Sequence, residues 1–347
     1  MNFPRILKKR KGYIDRIKPF MQKSVIKVLT GQRRVGKSFL LYQLIEEILA
    51  EEPDANIIYV NLEDFTFSSQ QTAEDLHPYI ISHSKEKVKN YIFIDEIQDI
   101  PGFEKVIRSL LLNEDNDIYI TGSNAKMLSG ELATYLSGRY IEFKIYSLSY
   151  SEFLEFHGLT ESETSYELYS RYGGLPYLLN LPLEDETVNE YLKSVYSTIV
   201  FRDVVSRYKL RNTLFLEKLI QFLSENIGNL FSAKNISDYL KSQHTTISVN
   251  QIQSYTEYLN NAFLIHRVER YLIGKRVFEI GEKYYFENMG IRNIVIGYRI
   301  TDKAKILENL VYNHLLYKGY DIKVGYYGDK EIDFIGEKNG EKLYIQV

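Results

Sequence analysis

Between Val25 and Leu148 short, almost wholly apolar runs alternate with longer amphipathic stretches; the runs are VIKVLTG, IIYVNL, YIFIDE, IYITGSN and IEFKIYSL. Apolar runs too short for helices, with no in–out alternation, predict strands buried on both faces of a parallel sheet. After the first run, Leu40, Leu41, Leu44, Ile45, Ile48 and Leu49 recur at helical spacing, so one stripe of that helix packs on the sheet. Strand alternating with helix predicts an α/β domain over residues 1–149. Past Ser149 the texture changes, and 150–211 predicts helix, broken by Gly173-Gly174-Leu175-Pro176. Residues 212–280 predict a helix, a short helix, a longer helix and two strand-like runs, HRVERYLI and KRVFEI, split at Gly274. That order suggests a winged helix. In 281–347 a helix, AKILENLVYNHLLYKGY, precedes strands EIDFIGE and KLYIQV joined by a turn at Asn339-Gly340. The chain then stops within an apolar run, which predicts a truncated last domain.

Composition narrows the function classes. A chain of 347 residues exceeds one ordinary core. Its 43 basic and 46 acidic residues give a formal charge of -3, so any nucleic-acid contact must be local. The cluster Lys8, Lys9, Arg10 and Lys11 reads as a solvated lead-in. Cysteine is absent, which removes disulfides, thiolate zinc sites and thiol nucleophiles. With no apolar run of about 18 residues and a charged amino terminus, neither a membrane span nor a signal peptide is expected, and a cytoplasmic location is.

Gly31-Gln32-Arg33-Arg34-Val35-Gly36-Lys37-Ser38, followed by Phe39, matches G-x-x-x-x-G-K-[ST] between a strand and a helix. Gly31 and Gly36 let backbone N–H groups close around the β-phosphate of ATP. The helix beginning near Lys37 adds its positive end. Lys37 brings an ammonium to the β- and γ-phosphates, and the Ser38 hydroxyl ligates Mg2+. Arg33 and Arg34 are expected to face solvent or a partner subunit. The strand YIFIDE places Asp95 at its carboxyl end, where it can hold Mg2+ through water, and Glu96 beside it as the base for the attacking water. Asn124, after the strand ending Thr121-Gly122-Ser123, is placed to hydrogen-bond γ-phosphate and water; a turn cap is the alternative. No guanine-specifying NKxD pattern is present.

The order GQRRVGKS, YIFIDE, TGSN, then Leu136-Ser137-Gly138-Arg139 resembles AAA+ ATPases. With SLSYSEFLEF, GGLPYLL and YFENMGIRN added, the chain resembles a large bacterial and archaeal family of ATP-binding proteins. In that family an AAA-type domain precedes a winged helix and a restriction-endonuclease-like domain. The resemblance implies a parallel sheet in the order 5-1-4-3-2, with nucleotide at a subunit boundary of a homo-oligomer in the ATP state. It makes 150–211 a lid, with Gly174 and Pro176 over the adenine unless they are a plain helix break, and gives Arg139 the arginine-finger position, an intramolecular salt bridge being the alternative. A winged helix would offer Asn250, Gln251, Gln253 and Ser254 on one helix to bases and Arg267, Arg270, Lys275 and Arg276 on the wing to phosphates of DNA; a protein-interaction module is the alternative. Glu308 and Asp333 resemble acidic positions of a nuclease metal site, but Gln346 stands where Glu is usual, which favours a degenerate, non-cleaving role. Three functions remain open: an ATP-hydrolysing switch or motor, a DNA-binding regulatory or defence protein with an ATP-gated nuclease-like domain, and an ATP-binding scaffold without turnover.

Overall fold

Each apolar run becomes a strand. The structure, a computed structural model, describes residues 8–128, 136, 138–242, 247–271, 281–327 and 330–347. It divides into two compact units, Met1–Ile145 and Tyr146–Val347.

In the first unit, β1 (Ile26–Thr30), β2 (Asn56–Asn61), β3 (Asn90–Asp95), β4 (Asn116–Gly122) and β5 (Tyr140–Lys144) form a sheet in the order β2-β3-β4-β1-β5. All four pairings are parallel, as the expected 5-1-4-3-2 order requires. Every residue of β1, β3 and β4 is buried, which explains why these strands read as continuous apolar runs. Helices α1 (Lys11–Ile17), α2 (Lys37–Glu51), α3 (Ala73–His83) and α4 (Phe103–Leu110) accompany the sheet. From α4 the stripe Phe103, Val106, Ile107 and Leu110 joins Val28, Ile92, Ile94 and Ile120 in one core. Each such side chain contributes about 1.5–3 kcal/mol by leaving water.

A polar pair is buried on the opposite face of the sheet. Lys27 on β1 and Asp117 on β4 are both fully buried and joined by a short ion pair, and the ammonium lies 4.5 Å from the centre of the Tyr119 ring. Asp117 also accepts from the Gln22 N–H and the Tyr119 hydroxyl, each at 2.8 Å. Removing one partner strands an uncompensated buried charge, so Asp117→Ala should cost about 3–5 kcal/mol in denaturant unfolding. Replacing both residues with apolar ones of similar volume should recover most of that loss; an additive double mutant would show that the pair itself contributes little.

The amino-terminal basic cluster needs correction. Lys8, Lys9 and Lys11 are exposed, but Arg10 is 3% exposed. Its backbone N–H donates to Gln43 Oε1 on α2 at 2.9 Å and its guanidinium to the Val35 carbonyl at 3.2 Å. Proximity to a helix that also carries the phosphate loop turned a surface charge into a strut.

The second unit is helical from Tyr150–His157 through Thr213–Glu225. The expected break falls at Gly173, which ends a helix at φ 72° and leaves no room for a Cβ against the Asn288 side chain; Gly174 is similarly pressed on the Leu148 backbone. Next come helix Thr213–Glu225, β6 (Leu230–Phe231), helices Ala233–Ser242 and Val249–Asn261, β7 (Ile265–Val268) and β8 (Glu282–Phe286). The three strands form an antiparallel sheet in the order β6-β8-β7. The run KRVFEI at 275–280, Gly274, Lys275 and Arg276 lie outside the described residues, and the strand paired with β7 is β8.

After helix Lys303–Tyr317, β9 (Asp321–Tyr327), β10 (Lys330–Lys338) and β11 (Glu341–Ile345) make a second antiparallel sheet. β9 was not expected, because DIKVGYY mixes charge with a central glycine. β11 runs to Ile345, and Glu341 to Tyr344 are exposed, so this strand is not the buried apolar run its sequence suggested. Among the described residues no helix is long and apolar enough to cross a membrane.

Candidate nucleotide site

The functional side chains of the first unit converge at the carboxyl ends of β1, β3 and β4, where ligands of open parallel sheets bind. The β1–α2 turn runs from Gly31 at φ 152° through Arg34 at φ 71° to Gly36 at φ 94°. At Gly31 a Cβ would collide with the Ile145 carbonyl oxygen, so only glycine lets the turn lie this close to the sheet. Val35 is fully buried and Gln32 is buried beside it, while Phe39 is 48% exposed on the first turn of α2. Lys37, the first residue of α2, donates to the carbonyls of Gly31 at 3.0 Å and Gln32 at 3.2 Å and lies 3.5 Å from Glu96 Oε1. A buried ammonium held by carbonyls and one carboxylate, above a loop of turned N–H groups, suits a polyphosphate.

The second wall is β3. Asp95 is 1% exposed and accepts short hydrogen bonds or near contacts from three directions. The Thr121 hydroxyl donates to Oδ1, the Tyr59 hydroxyl to Oδ2 at 3.2 Å, and Ser38 also bonds the carboxyl. Burial, then the neighbouring Glu96 charge, push the Asp95 carboxyl above its usual range. Two oxygen donors, Ser38 and Asp95, thus stand together beside the lysine, the hard-donor set that Mg2+ takes.

Glu96 follows the strand in the left-handed region at φ 58°, a conformation that costs a non-glycine residue energy and points its carboxylate out of the strand's alternation. Its backbone N–H donates to the Thr121 hydroxyl at 2.9 Å. Burial pushes its carboxyl up, but Lys37, Arg33, the Gln98 amide and Ser123 outweigh burial and hold it down at about 2. An ionised carboxylate beside the phosphate loop is what a base for water requires.

Arg33 corrects the sequence expectation: it is 5% exposed and pairs with Glu63 at 2.8 Å, and its charge reaches Glu96. Arg34 does face solvent. Asn124 is 1% exposed; its Oδ1 accepts from the Lys126 N–H at 2.7 Å, a turn cap, while its buried Nδ2 has no hydrogen-bond partner among the described residues. An orphaned buried donor is costly, and at this end of the sheet an anionic oxygen would satisfy it. Arg139 is exposed immediately before β5, with its carbonyl accepting from the Ile26 N–H at 2.9 Å; Ser137 and the residues at 129–135 lie outside the described set.

In the second unit Glu308 and Asp333 do come together, about a cation the sequence did not suggest. The 2%-exposed ammonium of Lys283, on β8, lies 3.0 Å from Glu308 and 3.5 Å from Asp333, with Glu331 also paired. Gln346 donates to Asp333 at 2.6 Å. Among the described residues no group of three or more His, Cys, Asp or Glu could hold a metal ion; the positive charge facing Glu308 and Asp333 is the Lys283 ammonium. Of the DNA-contact candidates, Asn250 and Gln253 are exposed, Gln251 and Ser254 half-buried, Arg267 pairs with Glu269 and Glu282, and Arg270 lies over the Tyr326 ring.

Residues 23–154 match an AAA domain, and residues 163–302 match a domain of unknown function, DUF8612. An uncharacterized protein of Haemophilus influenzae is 38% identical over 97% of this chain and 86% of its own length. The uncharacterized protein MJ1544 of Methanocaldococcus jannaschii is 31% identical over 85% of this chain and 67% of its own. Among solved structures, the Walker-type ATPase PABY2304 of Pyrococcus abyssi shares the fold with a TM-score of 0.54 at 15% identity, covering 84% of this chain and 96% of that one.

Proposed function

This chain belongs to the AAA-domain protein family of its Haemophilus influenzae and Methanocaldococcus jannaschii relatives, and on that premise we propose that its first unit binds ATP with Mg2+ and hydrolyses it. The observation that carries the proposal is the meeting of Lys37, Ser38, Asp95 and an ionised Glu96 at one end of the parallel sheet. When ATP arrives, Lys37 exchanges its two carbonyl partners for phosphate oxygens, and the Gly31–Gly36 turn supplies N–H donors. Ser38 and Asp95 would hold Mg2+, which neutralises charge on the phosphates. Glu96 takes the proton of the attacking water as the water oxygen bonds to the γ-phosphorus and the β–γ bridge breaks toward ADP. Asn124 offers Nδ2 to the γ-phosphate. Phosphate release that depends on ATP and magnesium and disappears in Lys37→Ala tests this; a wild-type chain that binds ATP without turnover would leave the scaffold reading.

The second unit is read as a helical lid, a winged helix, and a nuclease-like module that does not cut. Favouring the winged helix is the order helix, β6, two helices, β7, β8, with the polar residues Asn250 and Gln253 exposed on the third helix. On this reading ATP binding and hydrolysis switch a DNA-binding or protein-binding module, in the cytoplasm, within a homo-oligomer. With a net charge of -3, DNA affinity should be modest and salt-dependent. Reversing Arg267 and Arg270 to Glu should weaken binding and flatten its salt slope by about one to two contacts; unchanged binding in a fluorescence titration would move the DNA surface elsewhere.

A further inference from the structure

Gln98, two residues past Glu96, is not part of the phosphate motif, yet its Nε2 donates to Glu96 Oε2 at 2.6 Å. Its Oε1 is buried with no hydrogen-bond partner among the described residues. The room for this side chain is made by Gly122 at the end of β4: a Cβ there would stand 2.7 Å from Gln98 Oε1 and 2.5 Å from the Met127 sulfur. The other Glu96 oxygen, Oε1, faces Lys37 at 3.5 Å. Both oxygens of the base are therefore engaged, one by an ammonium that phosphate binding draws away and one by an amide that it does not.

We propose that Gln98 is the positioning residue of the hydrolytic base: it clamps Glu96 Oε2 throughout the cycle, so that Oε1 alone is released toward water when Lys37 turns to the phosphates. The inference rests on the ATPase reading and deepens it. A carboxylate in a left-handed residue has no strand to fix its direction, and a single torsional swing would carry it off the water; the amide removes that freedom. During the step the proton goes to Glu96 and stays there until product leaves; Gln98 exchanges no proton.

The test is steady-state and single-turnover ATP hydrolysis by the full chain with Gln98→Leu, which keeps size and removes the amide. ATP affinity, read with a fluorescent ATP analogue, should stay within about twofold while kcat falls roughly 10–100-fold, the scale of a misplaced catalytic group. Gly122→Ala, which displaces Gln98 without touching it chemically, should show the same split. In a Glu96→Gln background, Gln98→Leu should slow the residual single-turnover rate little or not at all, because a clamp has nothing left to position. Wild-type kcat in Gln98→Leu, or equal slowing in the wild-type and Glu96→Gln backgrounds, overturns the proposal while leaving the ATPase reading intact. Absence of turnover by the wild-type chain overturns both. Thermal unfolding of each variant separates loss of fold from loss of rate.

Discussion

Glu96→Gln should bind ATP as tightly as the wild-type chain and hydrolyse it about 10²–10⁴-fold more slowly, the contribution expected of a positioned general base. Lys37→Ala should fail earlier, at binding. The difference follows from what each group touches. Lys37 sits on the loop carbonyls at 3.0 and 3.2 Å and meets phosphate in ground state and transition state alike, so its loss removes uniform binding. Glu96 is held ionised, at about 2, by Lys37, Arg33, Gln98 and Ser123 against its own burial, and only the attacking water has use for that charge. Gln is nearly isosteric and keeps an acceptor oxygen, so the Thr121–Glu96 backbone contact and the turn should survive. Equilibrium ATP binding together with phosphate release distinguishes the two variants; undiminished turnover by Glu96→Gln would remove Glu96 from the role of base.

A comparable loss is expected at Arg139. Reading the chain as an assembling ATPase gives this residue to a neighbour's γ-phosphate, where an arginine finger is worth about 10³–10⁵ in rate. Arg139 is exposed directly ahead of β5, free of the sheet interior and available to another subunit. Arg33 is the competitor: it is buried in the phosphate loop, paired with Glu63, and its charge already reaches Glu96. If Arg33 neutralised the developing charge within one chain, activity per chain would not depend on concentration. The trans arrangement requires that activity per chain rise through the assembly range, and that Arg139→Ala bind ATP yet turn it over slowly. Mixing Arg139→Ala with Lys37→Ala should restore turnover, since one chain brings an intact pocket and the other an intact arginine. Concentration-independent activity, with no recovery in mixtures shown by mass to co-assemble, would return the role to Arg33.

What was legible in the sequence was whatever lies contiguous along the chain. Gly31, Gly36, Lys37 and Ser38 sit within eight residues, and the strand carrying Asp95 and Glu96 is one apolar run, so local spacing sufficed for both. The strand order followed from the family that those motifs resemble, not from the apolar runs alone. Arg10, Tyr59, Thr121 and Lys283 were illegible because their chemistry is made by chain ends far apart. Tyr59 reaches Asp95 across 36 positions and Lys283 reaches Asp333 across 50. A lysine inside a sheet strand, flanked by Glu282 and Tyr284, reads as surface; only the packed second unit reveals it as the counter-ion of three carboxylates. β9 was missed for the opposite reason, since its pairing with β10 stabilises a segment whose own composition argues for a turn.

The contact from Arg10 to the Val35 carbonyl makes the excisable piece of this protein larger than the region that matches an AAA domain, which begins at residue 23. A fragment cut at that border would keep every residue of the phosphate motif and yet lose the brace beneath it, together with the Arg10–Gln43 bond that ties the lead-in to α2. Anyone transplanting the nucleotide-binding unit, or grafting a tag in front of it, is therefore cutting into the site from behind unless the graft point lies upstream of Lys8.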